Sequence, residues 1–90
     1  MSIPEITKKY TQKKNVSRFA ADLGINASRQ MVSMWVNGKQ EPSILTLIRV
    51  IGSDKSTPEA REWARECINA LTGFDVRVEQ TQGNEIERHR

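Results

Sequence analysis

Ninety residues fall well short of the roughly 150 at which a second domain becomes the expectation, which excludes most large enzyme scaffolds. A chain this short buries only somewhat more than about 60% of its extended surface, so its hydrophobic residues, 37% of the total, must gather on a few faces of one core. The formal charge of +3, with 28% charged residues, is compatible with a polyanionic partner without requiring one.

The charge is unevenly spread. Residues 1–50 carry eight Lys and Arg against three Asp and Glu, a net of +5; residues 51–90 carry six against eight, a net of −2. The halves therefore have different tasks, the first suited to an anion and the second to packing. A lone Cys67 makes no intrachain disulfide, and no charged-then-apolar leader precedes the first helix, so a cytoplasmic setting is expected. The most apolar stretch, Ile44 to Ile51, is far below the roughly 20 residues that cross a bilayer, so no membrane partner is expected.

In chain order, Ser2 and Glu5 have capping-box spacing around Pro4, and Ile3, Ile6 and Tyr10 follow at helical intervals. Asn15 can cap a second helix whose Val16, Phe19, Ala20 and Leu23 form one apolar stripe, ended by Gly24. Asn26 or Ser28 can cap a third helix, with Met31, Val32 and Trp35 on one side and Arg29, Gln30, Ser33 and Asn37 on the other. Asn37-Gly38 stops it, and Ser43 caps a fourth helix from Ile44 to about Ile51. Its Ile44, Leu47, Ile48 and Ile51 are expected as a core stripe, with Leu45 and Val50 as apolar excess for a partner. Gly52 to Lys55 reads as a linker. Ser56 and Glu59 then repeat the capping-box spacing before a fifth helix that runs to Thr72 and ends at Gly73. Ala60, Trp63 or Ala64, Cys67 and Leu71 mark its inner side. Phe74, Val76 and Val78 alternate with polar residues as a short strand does, and the remainder reads as a polar tail. The fold expected is an all-α bundle of about five short helices over residues 1–73, with residues 74–90 as a C-terminal strand and tail.

Two short helices joined at a glycine, the second apolar behind and polar in front, are the parts of a helix-turn-helix. Phe19-Ala20-x-x-Leu23-Gly24-Ile25, Val32-Ser33-x-Trp35-x-Asn37-Gly38-Lys39 and Pro42-Ser43 carry the pattern, and together they resemble the helix-turn-helix of the Cro and phage-repressor (XRE-like) family. The resemblance covers Val16 to Ser43, about a third of the chain. Between Gly24 and Asn37 the chain has about two residues more than that family's usual spacing, around Asn26 to Arg29, so a longer turn is expected.

The resemblance implies a dimeric, sequence-specific regulator of double-stranded DNA, most simply a repressor of a phage, plasmid or mobile-element promoter with a palindromic operator. The chemistry of the third helix agrees: Arg reads guanine and Gln reads adenine bidentately in the major groove. Arg29, Gln30, Ser33 and Asn37 are the expected base readers, with Met34 at the rim for a thymine methyl. Lys14, Asn15, Ser28, Lys39 and Ser43 are the expected phosphate contacts. Two dimer surfaces are expected, one from the fourth helix with Leu45 and Val50 together with Trp63 and Leu71 of the fifth, the other from Phe74, Val76 and Val78. Trp35 reads as a core wedge and Cys67 as packing.

One Cys67 and one His89 do not make a structural zinc site, and no catalytic triad or glycine-rich phosphate cradle is present, so neither a cofactor nor an enzyme is expected. The competing reading is a protein-interaction module that keeps the scaffold without DNA affinity.

Overall fold

The computed structural model describes residues 1–74. They form an all-α bundle of five helices: α1 (Ile3–Thr11), α2 (Val16–Asp22), α3 (Arg29–Val36), α4 (Ile44–Gly52) and α5 (Pro58–Thr72). Beyond Phe74, the expected strand with Val76 and Val78, and the tail with His89, lie outside the described residues.

Every helix starts at a side chain that accepts from an orphan N–H, the arrangement that stabilises a helix N-terminus by about 1 kcal/mol. Ser2 Oγ accepts from Glu5 N at 3.4 Å while Glu5 Oε1 accepts from Ser2 N at 2.9 Å, completing the capping box. Asn15 Oδ1 accepts from Arg18 N, Ser28 Oγ from Met31 N and Ser43 Oγ from Thr46 N. The α5 cap is Thr57, whose Oγ1 accepts from Ala60 N at 3.1 Å. The capping box expected from Ser56 and Glu59 does not form. Ser56 is instead buried, its hydroxyl directed at the carbonyls of Val50 (2.7 Å) and Ser53 (2.9 Å) while it accepts from Arg61 Nε at 2.8 Å. A serine enclosed by three polar groups serves the α4–α5 junction better than a helix end that its neighbour can cap.

α5 is the backbone of the bundle, packed against both α4 and α1; α3 packs against α1 and α2. Trp63 of α5 is fully buried at the point where these elements meet. Phe19 of α2 meets its ring edge-on, with centroids 5.3 Å apart, and Trp35 of α3 stacks on it at 5.6 Å and 21°. Its Nε1–H donates to Thr7 Oγ1 of α1 at 3.0 Å, and that hydroxyl donates in turn to the Ile3 carbonyl at 2.8 Å. The one polar atom of the indole is thus satisfied inside the core.

The buried stripe of α4 differs from the expected one. Leu47, Val50 and Ile51 are buried, whereas Ile44, Leu45 and Ile48 are 44%, 66% and 52% exposed. At about 100° per residue the inward face is turned by roughly 60° from the 44–47–48–51 stripe. Six apolar residues in one helix admit more than one stripe of helical spacing, and packing on α5 selects between them. Leu71, expected on the inner side of α5 and also at a dimer surface, is exposed near the end of the helix, where Ile68 holds the inner position instead. Met31 is similarly exposed beside its buried neighbours Val32 and Trp35.

α1 is also tethered to α5 on the surface. Lys9 Nζ lies 2.9 Å from Glu66 Oε1, and the Tyr10 hydroxyl donates to the other carboxylate oxygen. Partial burial works to raise the Glu66 carboxyl, but the hydrogen bonds from Tyr10 and Lys9 outweigh it and leave the group below its ordinary 4.5. A carboxyl with a lowered folded-state pKa contributes stability above the unfolded value and loses it as pH falls through the folded one.

Two outcomes are expected from these contacts. Thr7→Val, which keeps the shape but strands the buried Trp63 N–H, lowers stability by about 1–3 kcal/mol in urea unfolding, while Thr7→Ser retains most of it. The stability gap between wild type and Glu66→Gln, followed by thermal melts, closes as pH drops below 4.5; a gap indifferent to acid contradicts the tether.

Candidate nucleic-acid interface

α3 has two opposed faces because its apolar and polar residues fall on opposite sides of a 3.6-residue period. Val32 and Trp35 are buried, and the Trp35–Trp63 stack fixes the rotation of the helix about its axis. Gln30 and Asn37 point opposite to that pair, with Arg29 and Ser33 to one side and Met34 to the other. Arg29, Gln30 and Asn37 are exposed; Ser33 and Met34 are half-buried. Among the described residues, the side chains of Arg29, Gln30, Ser33 and Asn37 take part in no intrachain hydrogen bond, and Arg29 in no ion pair.

Arg29, Gln30, Ser33 and Met34 line, with Ser28 and Val16, an open cleft of about 620 Å³ beside α2. Val16 was expected only as a core residue; half-buried, it also forms the apolar wall of this cleft. Asn37 stands apart, as the C-cap residue just beyond α3, its N–H donating to the Ser33 carbonyl. Exposed Lys39 follows, its N–H donating to Met34 O at 2.9 Å, so the loop turns back on the helix end.

The connection between α2 and α3 spans residues 23–28, longer than the three or four residues of an ordinary helix-turn-helix turn. Gly24 (φ +69°) and Asn26 (φ +66°) both take the left-handed conformation within it. The connection is nevertheless held: Thr57 N–H donates to Asp22 O at 3.0 Å and the Ser53 hydroxyl to Gly24 O at 2.8 Å. A Cβ on Gly24 would lie 2.5 Å from Ser56 N and 2.7 Å from Lys55 C, so only glycine permits this approach of two backbones.

Of the five expected phosphate contacts, Asn15, Ser28 and Ser43 are exposed helix caps, and Lys39 is an exposed cation. Lys14 has a different place. Its ammonium bridges Asp22 Oδ2 at 2.6 Å and Glu59 Oε1 at 2.9 Å, joining α2 to α5. These hydrogen bonds, that to Asp22 foremost, hold its pKa above the ordinary 10.5. A lysine already neutralised by two carboxylates has little charge to offer a phosphate, so Lys14 is corrected from an anion contact to a structural clasp.

Two expected dimer residues are corrected as well. Val50 and Trp63 are wholly buried within the chain, against Ser56 and the aromatic cluster respectively, and present nothing to a second copy. Leu45 is exposed, and Ile44 and Ile48 share its side of α4; Phe74 is 72% exposed at the end of the described chain. Cys67 lies in the core, where burial pushes its thiol up to about 12 and suppresses the thiolate.

No family model, curated protein or solved structure matches the chain. No described helix is long and apolar enough to cross a membrane. The arrangement itself offers a guanidinium, a carboxamide and a hydroxyl on one exposed helix face, a set that donates and accepts hydrogen bonds at fixed spacing.

The two left-handed glycines around α3 separate backbone conformation from contact. Gly38 has φ +74° and only Pro4 Cγ, at 3.5 Å, near its missing Cβ. Gly38→Ala is expected to cost about 1–2 kcal/mol, the penalty of the conformation alone. Gly24→Ala, with backbone atoms in the way, costs distinctly more in chemical denaturation; equal losses contradict the docked turn.

Proposed function

We propose that the protein is a sequence-specific double-stranded DNA-binding regulator, acting as a homodimer on a palindromic operator and repressing by occupying a promoter of phage, plasmid or other mobile-element type. The observation that carries the reading is the outward face of α3. Arg29, Gln30, Ser33 and Asn37 stand free of intrachain side-chain bonds among the described residues, with Gln30 and Asn37 opposite an anchor of Val32 and Trp35 and Arg29 and Ser33 to one side. The major groove admits such a helix, and Arg29 and Gln30, in its first turn, have the chemistry for guanine and adenine edges. Met34 completes the face with an apolar contact for a thymine methyl. Lys39 and the exposed caps Asn15, Ser28 and Ser43 serve the phosphates that set register.

One domain of this size supplies limited specificity, and pairing two of them across half-sites about 34 Å apart doubles the contacts. The exposed stripe of Ile44, Leu45 and Ile48 is the apolar surface suited to that pairing. A regulator of this kind works in the cytoplasm.

Selection of bound duplexes from a random pool tests the whole reading. A palindromic consensus is expected, and Arg29→Ala with Gln30→Ala loses discrimination by about 1–3 kcal/mol per specific contact while keeping its fold. Selection that enriches no sequence, with affinity indifferent to salt, sinks the proposal and leaves the scaffold as a protein-interaction module.

A further inference from the structure

The turn that aims α3 has a second side. Between it and the C-terminal end of α4 lies an open cleft of about 830 Å³, whose charged lining is Arg49 and Lys55 and whose polar lining includes Asn26 and Ser53. Both cations are exposed, and neither has an ion pair among the described residues. Elsewhere Lys9, Lys14 and Arg65 are matched with carboxylates, while Lys8, Lys13, Arg18, Arg29 and Lys39 share with these two the lack of an ion pair among the described residues. No carboxylate lines this cleft; Asp54, next to Lys55 in sequence, is exposed and outside the lining.

Position gives the cleft its meaning. Ala27 lines it, and the next two residues, Ser28 and Arg29, line the cleft of the α3 face. The two openings therefore flank the N-terminal end of α3, the end that leads into the groove when a helix-turn-helix docks. The site is also preorganised: the Ser53 hydroxyl on Gly24 O fixes one wall to the other, and Gly24 leaves no slack between them. Ala20, Ala21 and Gly52 keep the remaining wall low enough for a bulky anion to approach. Arg49 also complements the dipole at the end of α4, but that role does not extend to Lys55, which lies beyond the helix.

We infer that Arg49 and Lys55, with the Asn26 carboxamide, form a second backbone-phosphate site that clamps the DNA strand bordering the groove entered by α3. The inference rests on the DNA-binding reading above. It makes the longer turn a functional part of the interface, because the turn forms the wall between base reading and phosphate holding. Each phosphate neutralised contributes about 0.9 to the log–log salt slope of B-DNA binding.

The test compares wild type, the double variant Arg49→Gln with Lys55→Gln, and Arg49→Lys on two duplexes, one of random sequence and one from the selection, over a range of salt. Circular dichroism checks the fold, which at these exposed positions loses no more than the contact of Arg49 with the α4 dipole. The expected result is a slope lower by about 0.9–1.8 in the double variant on both duplexes, with base preference unchanged and the slope retained in Arg49→Lys. An unchanged slope in the double variant, with wild-type binding intact, overturns the phosphate site and leaves the DNA reading standing. Wild type that binds neither duplex overturns both.

Discussion

The indole of Trp63 is the constraint on which the rest of the structure depends. It stacks on Trp35, receives the edge of Phe19 and donates its N–H to Thr7, so one side chain of α5 positions α3, α2 and α1 together. Aromatic pairs of this kind are worth about 0.5–1.5 kcal/mol beyond the area they bury, and their geometry is directional as well as apolar. The consequence reaches the surface. Because Trp35 is locked behind α3, the opposite side of that helix can present only Gln30, Asn37 and their flanking neighbours. The exposed hydrogen-bonding face is therefore a product of the core.

The connection before α3 adds a second hold. Lengthening a loop by a few residues costs little in closure entropy, but a free loop would let the first turn of α3 wander. Here Ser53 and Thr57 bond to the end of α2 and to Gly24, so the added length is fastened to the α4–α5 junction. Asn26 takes the left-handed conformation that Asn tolerates better than most residues. The junction is itself secured by Ser56 and Arg61.

Packing also decides which charges are matched. Asp22, Glu59, Glu62 and Glu66 are engaged by Lys14, Arg65 and Lys9 on the α1, α2 and α5 side of the molecule. Arg29, Lys39, Arg49 and Lys55, which come from α3, α4 and the loops after them, carry no ion pair among the described residues, and neither do Lys8, Lys13 and Arg18 of α1, α2 and their connection. A modest net charge of +3 thus leaves a set of unmatched cations, several of them around α3 and the C-terminal end of α4.

The sequence by itself determined the local features: five helices, nearly all their boundaries, the caps at Ser2, Asn15 and Ser43, the stops at Gly24, Gly38 and Gly73, and the two-faced character of α3. These depend on residues within a turn or two of one another, where side-chain capping, left-handed glycine and helical period act without help from the fold. Tertiary structure decided what adjacency could not. α4 is apolar on so many sides that its period admits two buried stripes, and contact with α5 buried Val50 while exposing Ile44 and Ile48. Lys14 has no carboxylate beside it in the local sequence, and folding brings Asp22 and Glu59 to it; Trp63 has a local pattern that suits both the inner side of α5 and a dimer surface, and the three helices that close around it leave only the first. The cleft with Arg49 and Lys55 has no local signal either, since its walls lie more than twenty residues apart in the chain. Which face is inside, which charge is matched and which surfaces adjoin are properties of pairs distant in sequence, and only packing brings such pairs together.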